Sequence, residues 1–267
     1  MKTGKNTNRL LQQGMSLIEL MIGIVISLII LAGVTDIWLT TIMSSSDTLK
    51  QSKLNQELAT LMNVMSNDIA RAGITGTLNY TNPQTNAFSQ ANDTALEVID
   101  NMTDNNQVTF ANSATGGSCV VYAYDRDLDG IVDIAEVIGF RLNNGAVEMR
   151  QDVIGTNRDS CASADGNWFA VTDNRIITIT NLNFAFSNSK CINTREPNGV
   201  DDDGDVSTDD TAEMNCYSIV PANGSGDVTV EARQIDITLA GQLVNDASVN
   251  LSLTQSVRVR NDLVRQY

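Results

Sequence analysis

A chain of 267 residues with 42% hydrophobic content has enough apolar material for a packed core, which excludes disorder throughout. Its formal charge of -15 would repel a phosphate backbone, and no basic stripe interrupts that balance, so direct nucleic-acid binding is not expected. With no histidine anywhere, imidazole-based triads and zinc sites are ruled out, and no nucleophile stands beside a base, so the chain does not read as an enzyme.

Residues 1–14, MKTGKNTNRLLQQG, carry Lys2, Lys5 and Arg9 and no acid, directly ahead of a long apolar run, as in a targeting leader. The small residue suited to cleavage is Gly14, before the run rather than after it, so the apolar segment would survive processing. As helix, Met15 to Met43 is about 44 Å long at ~1.5 Å per residue, enough to span a bilayer. The basic leader would remain in the cytoplasm and the rest of the chain would lie outside. No charge occurs from Leu20 to Thr35. Just before it stands Glu19, where a lipid-facing carboxylate costs roughly 2.5 kcal/mol or more and demands compensation. No proline precedes Pro83, which leaves Gly23 and Gly33 as the points of flexibility in this helix.

The string Gly14-Met15-Ser16-Leu17-Ile18-Glu19-Leu20-Met21 resembles the signal of type IV prepilins and pseudopilins. That resemblance implies cleavage between Gly14 and Met15 by a prepilin peptidase, N-methylation of Met15, and pairing of Glu19 with the terminal amine of a neighbouring subunit. Met15 stands where many members of the family carry phenylalanine. The implied fold is α+β, the type IV pilin fold. A long N-terminal helix is bare or membrane-embedded in its first half and packed on an antiparallel sheet in its second.

After the polar spacer Ser44-Ser45-Ser46-Asp47, apolar residues return at helical spacing: Leu54, Leu58, Leu61, Met65 and Ile69, with Gln51, Asn55, Asn63, Asp68 and Arg71 on other faces. Gly73 is the expected stop. The chain thus divides into a leader over 1–14, a helix over 15–73 and a β-rich domain over 74–267.

In that domain, strands are expected at Leu96–Ile99, Val108–Ala111, Cys119–Tyr124, Val137–Leu142, Ala146–Arg150, Ile176–Phe186, Gln234–Leu243 and Val249–Val259, with a loop from Thr81 to Asn92. Asn143-Asn144-Gly145 is a hairpin signal. Cys119, Cys161, Cys191 and Cys216 never form a C-x-x-C pair, which argues for two disulfides in an oxidising compartment. Three pairings are open. Cys119 with Cys161 and Cys191 with Cys216 is favoured, because each closes a loop between neighbouring strands.

Asp125-Arg126-Asp127-Leu128-Asp129-Gly130-Ile131-Val132-Asp133-Ile134-Ala135-Glu136 fits a twelve-residue calcium loop. Its ligands would be Asp125, Asp127, Asp129, the Ile131 carbonyl, Asp133 and Glu136, with Gly130 at the turn. Strands rather than helices flank it. The bland alternative is an acidic solvated turn. A second acidic stretch, Glu196 to Asp205 with Asp209 and Asp210 beyond, is a looser candidate with Asp201, Asp203 and Asp205 as ligands, and plain solvation is an equal alternative there.

The long post-helix region favours a minor over a major pilin. The segment from Met15 through Asp68-Ile69-Ala70-Arg71-Ala72-Gly73-Ile74, together with Ser256-Val257-Arg258-Val259-Arg260-Asn261, resembles PilW-type minor pilins. This implies inner-membrane insertion with a periplasmic domain, then incorporation into a pilus on the cell surface. It implies as partners other minor and major pilins, the prepilin peptidase/methyltransferase and the inner-membrane assembly platform. The role would be in initiating assembly of pili for motility, adhesion or DNA uptake. Two alternatives remain open: a J-type pseudopilin of type II secretion, and a membrane-anchored calcium-binding adhesin that never polymerises.

Overall fold

The computed structural model describes residues 15–76, 86–90, 93–100, 116–186 and 188–267. Residues 1–14, with Gly14, and the expected strand Val108–Ala111 lie outside the described residues, as does most of the loop from Thr81 to Asn92. The chain forms two compact units, divided between Leu49 and Lys50.

The N-terminal unit is helical over all but its first described residues. Helix α1 spans Leu17–Ile69, and every residue from Met15 to Leu49 is exposed. Its start is a capping box: the Ser16 hydroxyl accepts the Glu19 N–H at 3.2 Å, and a Glu19 carboxylate oxygen accepts the Ser16 N–H at 3.0 Å. The Ser27 hydroxyl donates to the Gly23 carbonyl, and Thr35 donates to Leu31, so these hydroxyls are satisfied within the helix.

In the second unit, α1 buries the stripe expected from its spacing, Leu54, Leu58, Leu61, Met65 and Ile69, and adds Met62 and Ser66. Each such apolar side chain contributes about 1.5–3 kcal/mol when fully buried. The helix ends by tightening, with the Ala72 N–H donating to the Ile69 carbonyl, and Gly73 then turns the chain at φ 77°.

Eleven strands form three antiparallel sheets among the described residues. The first is a meander: β1 (Glu97–Ile99), β2 (Cys119–Ala123), β3 (Val137–Asn143), β4 (Ala146–Val153) and β5 (Gly166–Ala170). Asn144 and Gly145 both take positive φ in the two-residue turn that joins β3 to β4, as the sequence signal requires. The second sheet has the order β10-β9-β6, from β6 (Ile177–Ala185), β9 (Gln234–Leu243) and β10 (Asp246–Arg258). The third has the order β11-β8-β7, from β7 (Lys190–Asn193), β8 (Val228–Ala232) and β11 (Leu263–Gln266).

The α1 stripe shares one apolar cluster with Tyr122, Ile138 and Phe140 of the first sheet and Ile179, Leu182, Phe184, Ile235, Ile237 and Leu239 of the second. Helix and sheet approach closely at Gly241, where an added Cβ would stand 3.2 Å from the Leu58 side chain. Arg150 and Arg141 are buried beside the core. Arg150 donates to the carbonyls of Val137, Ser160 and Arg158, and Arg141 pairs with Glu148 at 2.6 Å and donates to the Cys161 carbonyl at 2.7 Å. Burial lowers the Arg150 pKa to about 10.

Leu58 is wholly buried, so Leu58→Ala should destabilise the domain by about 2–5 kcal/mol, read from chemical denaturation of the detergent-solubilised chain. Asn55→Ala, on the exposed face, should change it by less than about 0.5 kcal/mol.

Candidate functional site

Three features carry chemistry. The first is the N-terminal stretch of α1. Among the described residues it is the one helix long and apolar enough to cross a membrane. Glu19 is the sole charge between Met15 and Thr35. One of its carboxylate oxygens is held by the capping box, and the other makes no hydrogen bond to a described residue. Gly23 and Ser27 follow Glu19 at four-residue spacing, and with Met15, Leu20, Ile24, Leu28 and Leu31 they line a shallow groove along the helix. Small residues at this spacing let another helix approach closely.

The second feature is the loop from Asp125 to Glu136, between β2 and β3. Asp125 and Glu136 are each only 3% exposed, yet both carboxylates are held by backbone N–H groups. Asp125 accepts from Leu128 at 2.6 Å, Gly130 at 2.9 Å and Gly76 at 2.8 Å. Glu136 accepts from Arg126 at 2.6 Å and Asp133 at 3.0 Å. Asp127 and Asp129 each accept from the residue two places on. Leu128 and Gly130 both take positive φ. Oxygens of Asp125, Asp127 and Glu136 lie within 4.8 Å of one another. Asp129 and Asp133 belong to the same loop, but their carboxylates are not drawn into that close set. A single 3-10 turn, Ile134–Glu136, precedes β3, so the loop joins two strands as the sequence suggested.

The third feature is the stretch from Asp201 to Glu213, between β7 and β8, and it repeats the same internal bonding. Asp201 accepts from Gly204 at 2.7 Å and Val206 at 2.9 Å, as Asp125 does from Leu128 and Gly130. Asp203 and Asp205 again accept from two places on. Glu213 accepts from Asp202 at 2.6 Å and Asp210 at 3.1 Å, as Glu136 does from Arg126 and Asp133. Positive φ recurs at the fourth and sixth places, Gly204 and Val206. The two loops therefore share one register, with a single residue inserted before the closing acid of the second. Glu213, 2% exposed, was not singled out from sequence. Its signal was present, but it stands at the thirteenth place and escapes a twelve-residue template. Oxygens of Asp201, Asp203 and Glu213 lie within 4.8 Å of one another, as do those of Asp203, Asp205 and Asp210.

The acids of this second loop repel one another. The Asp205 N–H lowers the Asp203 pKa, but desolvation and the charges of Asp205, Asp210 and Glu213 outweigh it and raise the carboxyl above its ordinary value. Glu196 is raised as well, first by desolvation and then, against the Asn198 N–H, by Asp202 and Asp209.

Both disulfides form as favoured, Cys119 with Cys161 and Cys191 with Cys216. By chain entropy each is worth roughly 3–4 kcal/mol. The second closes the base of the acidic excursion, since Cys191 lies on β7 and Cys216 lies three residues past Glu213.

The two segments that carried the minor-pilin resemblance meet at the end of α1. The Arg260 N–H donates to the Ala70 carbonyl at 3.1 Å, and the Asn261 amide donates to the Ala72 carbonyl at 3.3 Å. One turn earlier, Asp68 accepts both the Tyr122 hydroxyl at 2.6 Å and the Tyr124 hydroxyl at 2.8 Å. Burial, and then the Asp68 charge, raise the pKa of both phenols.

A family model described as prepilin peptidase-dependent protein B matches residues 47–259, and one described as the prokaryotic N-terminal methylation motif matches residues 9–35. No curated protein and no solved structure matches the chain.

The raised Asp203 pKa fixes a sign. The folded loop binds its proton more tightly than the unfolded chain, so ionisation of this group costs stability as pH rises through the carboxylate range. In metal-free buffer, Asp203→Asn should raise the melting temperature at neutral pH, and the gain should shrink as the pH is lowered through that range.

Proposed function

Because the chain belongs to the family of prepilin peptidase-dependent protein B, we propose that it is a minor pilin of the PilW type, which helps initiate type IV pilus assembly and enters the filament. Members of this family are pilin-like structural subunits rather than enzymes. The observation that carries the proposal is the lone carboxylate of Glu19 on a fully exposed apolar helix, inside the segment matched by the methylation motif. Cleavage after Gly14 exposes the amine of Met15, and N-methylation keeps it cationic. In hydrocarbon, a carboxylate and an amine from two adjacent helices attract far more strongly than in water, and their alignment sets the axial register between subunits. The capping box leaves one Glu19 oxygen available for this partner. The notch at Gly23 and Ser27 suits close approach of the neighbouring helix. The domain from Lys50 onward then lies on the periplasmic side, and its cysteines meet an oxidising compartment. The other partners are pilins of the same filament, the prepilin peptidase and the inner-membrane assembly platform.

In this reading each acidic loop holds a structural calcium ion. The donor set is oxygen only and rich in carboxylate, which suits a hard divalent cation. Asp125, Asp127 and Glu136 would hold the first ion, aided by Asp129, the Ile131 carbonyl and Asp133. Asp201, Asp203, Asp205 and Glu213 would hold the second. The shared N–H register that closes on a buried glutamate supports both. Calcium would cancel the mutual repulsion of acids that backbone N–H groups only partly offset.

Two outcomes are expected. Glu19→Val should insert into the membrane and lose its leader normally but fail to enter filaments, and mass spectrometry should find N-methylated Met15 at the start of the mature chain. A mature chain beginning at Met1, or loss of enzyme secretion with intact pili on gene deletion, would overturn the pilus assignment, the latter in favour of a secretion pseudopilus. Calcium should raise the melting temperature of the fragment from Lys50 onward, with about 2.7 kcal/mol per site at a hundredfold excess over Kd. Asp125→Ala with Glu136→Ala should remove one part of the shift and Glu213→Gln another. A melt indifferent to millimolar calcium would end this part of the reading.

A further inference from the structure

Sheet edges offer unpaired backbone groups, and natural proteins keep them short, bulged, charged or covered. Among the described residues, β1, β5, β7 and β11 end their sheets with only three to five residues each. The outer side of β6 is covered: Gly117 and Phe184 exchange backbone bonds at 2.9 and 2.8 Å, and the Ile179 N–H donates to the Gly145 carbonyl at 2.8 Å. Among the described residues, β10 has no such protection. It runs for 13 residues at the edge of its sheet. Its register on β9 is unbroken from Asn250 to Arg258, and its one irregularity falls between Asp246 and Asn250. From Ala247 through Val257 it contains no charge, no proline and no glycine, in a chain of formal charge -15.

We propose that the outer edge of β10 is completed by an extended strand from a second, different pilin-type subunit, running antiparallel to β10. This rests on the assembly reading above. The added strand would alternate apolar and uncharged polar residues, because Leu251 and Leu253 on the inner face are only half-covered while Ser252, Thr254 and Ser256 face solvent.

The direction of β10 rules out the same strand of a second copy, and the other sheet edges that a copy would present among the described residues, three to five residues long, are too short to follow the unbroken register from Asn250 to Arg258. Lys50 on α1 bonds Asp246 at 2.7 Å at the start of β10, and Ala70 accepts from Arg260 just past its end. β10 and this part of α1 therefore run in the same sense. Antiparallel pairing of two copies needs a two-fold axis that reverses β10, and the helix would reverse with it. Subunits of one filament keep the stretch of α1 from Lys50 to Ile69 pointing the same way and are not related in that way. A two-fold axis along the strand sets each residue against itself, whereas a parallel ladder requires staggered bonds. A chain with a different edge strand meets neither obstacle.

The test uses the full chain in cells that assemble the filament. A benzoylphenylalanine crosslinker replacing Ser252 should capture a pilin-type chain other than this one. Ser252→Lys with Thr254→Lys, which places charge on the edge without entering the core, should lower the amount in filaments about tenfold. Ser252→Ala with Thr254→Ala should enter at the level of the unaltered chain, and both variants should keep its melting temperature. Crosslinks only to copies of this chain, or normal entry of the lysine variant, would overturn the strand-addition inference and leave the assembly reading intact. Failure of the unaltered chain to enter filaments would sink the assembly reading, and this inference with it.

Discussion

The domain is organised by one helical stripe that must find cover. Leu54, Leu58, Leu61, Met62, Met65 and Ile69 recur every three or four residues, and two separate sheets close over them in a single cluster. The ends of this stretch are tied as well. Lys50 holds Asp246 at one end, and the carbonyls of Ala70 and Ala72, in the turn that ends the helix, accept from Arg260 and Asn261 at the other. A helix C-terminus buried without such donors would leave orphan carbonyls, each costing about 1–3 kcal/mol. The near-terminal segment from Ser256 to Asn261 is therefore a clamp on the helix, which gives a physical reason for the two distant stretches to carry one resemblance.

Elements with strong periodicity were legible in the sequence. The stripe, the stop at Gly73, the Asn144-Gly145 turn and β9 follow from spacing and turn chemistry. The strands not expected from the sequence, β5, β7, β8 and β11, have only four or five residues each, and β7 and β8 carry polar or charged side chains at buried places, Asn193, Thr229 and Glu231. Their pairing is set by tertiary neighbours, not by local pattern. Arg150 misleads for a similar reason. Its type reads as surface, yet three carbonyls satisfy it inside. At Glu19 the capping partner, Ser16, lies three residues earlier in a Ser-x-x-Glu pattern, so this local bond is written in the sequence as well.

The two acidic loops show how one solution survives a change in length. Each joins adjacent antiparallel strands, β2 to β3 and β7 to β8, where a short turn would have sufficed. In both, the first aspartate gathers the N–H groups of the fourth and sixth residues, and a buried glutamate reaches back to the second. The extra residue of the second loop is taken up between its sixth place and Glu213, where Asp209 adopts φ 57°. Glycine moves from the sixth place in the first loop to the fourth in the second, and the remaining left-handed place is left to Leu128 or Val206. A non-glycine residue there is strained by about 1–3 kcal/mol. Backbone N–H groups turned toward carboxylates offset that strain in both loops.

Charge is partitioned in the same economy. The acids are concentrated in loops, where they keep the chain soluble and deter association with anionic surfaces. The longest strand carries none between its two ends. An edge that was only a by-product of the fold would gain from a lysine there, since Ser252 and Thr254 are exposed and impose no packing constraint. The chain tolerates strain at Leu128 and buries Glu213 to shape its loops, yet among the described residues nothing covers this edge. Under the proposed strand addition, this charge-free edge is the surface that meets the second chain, and the absence of a lysine there follows from that contact rather than from the fold.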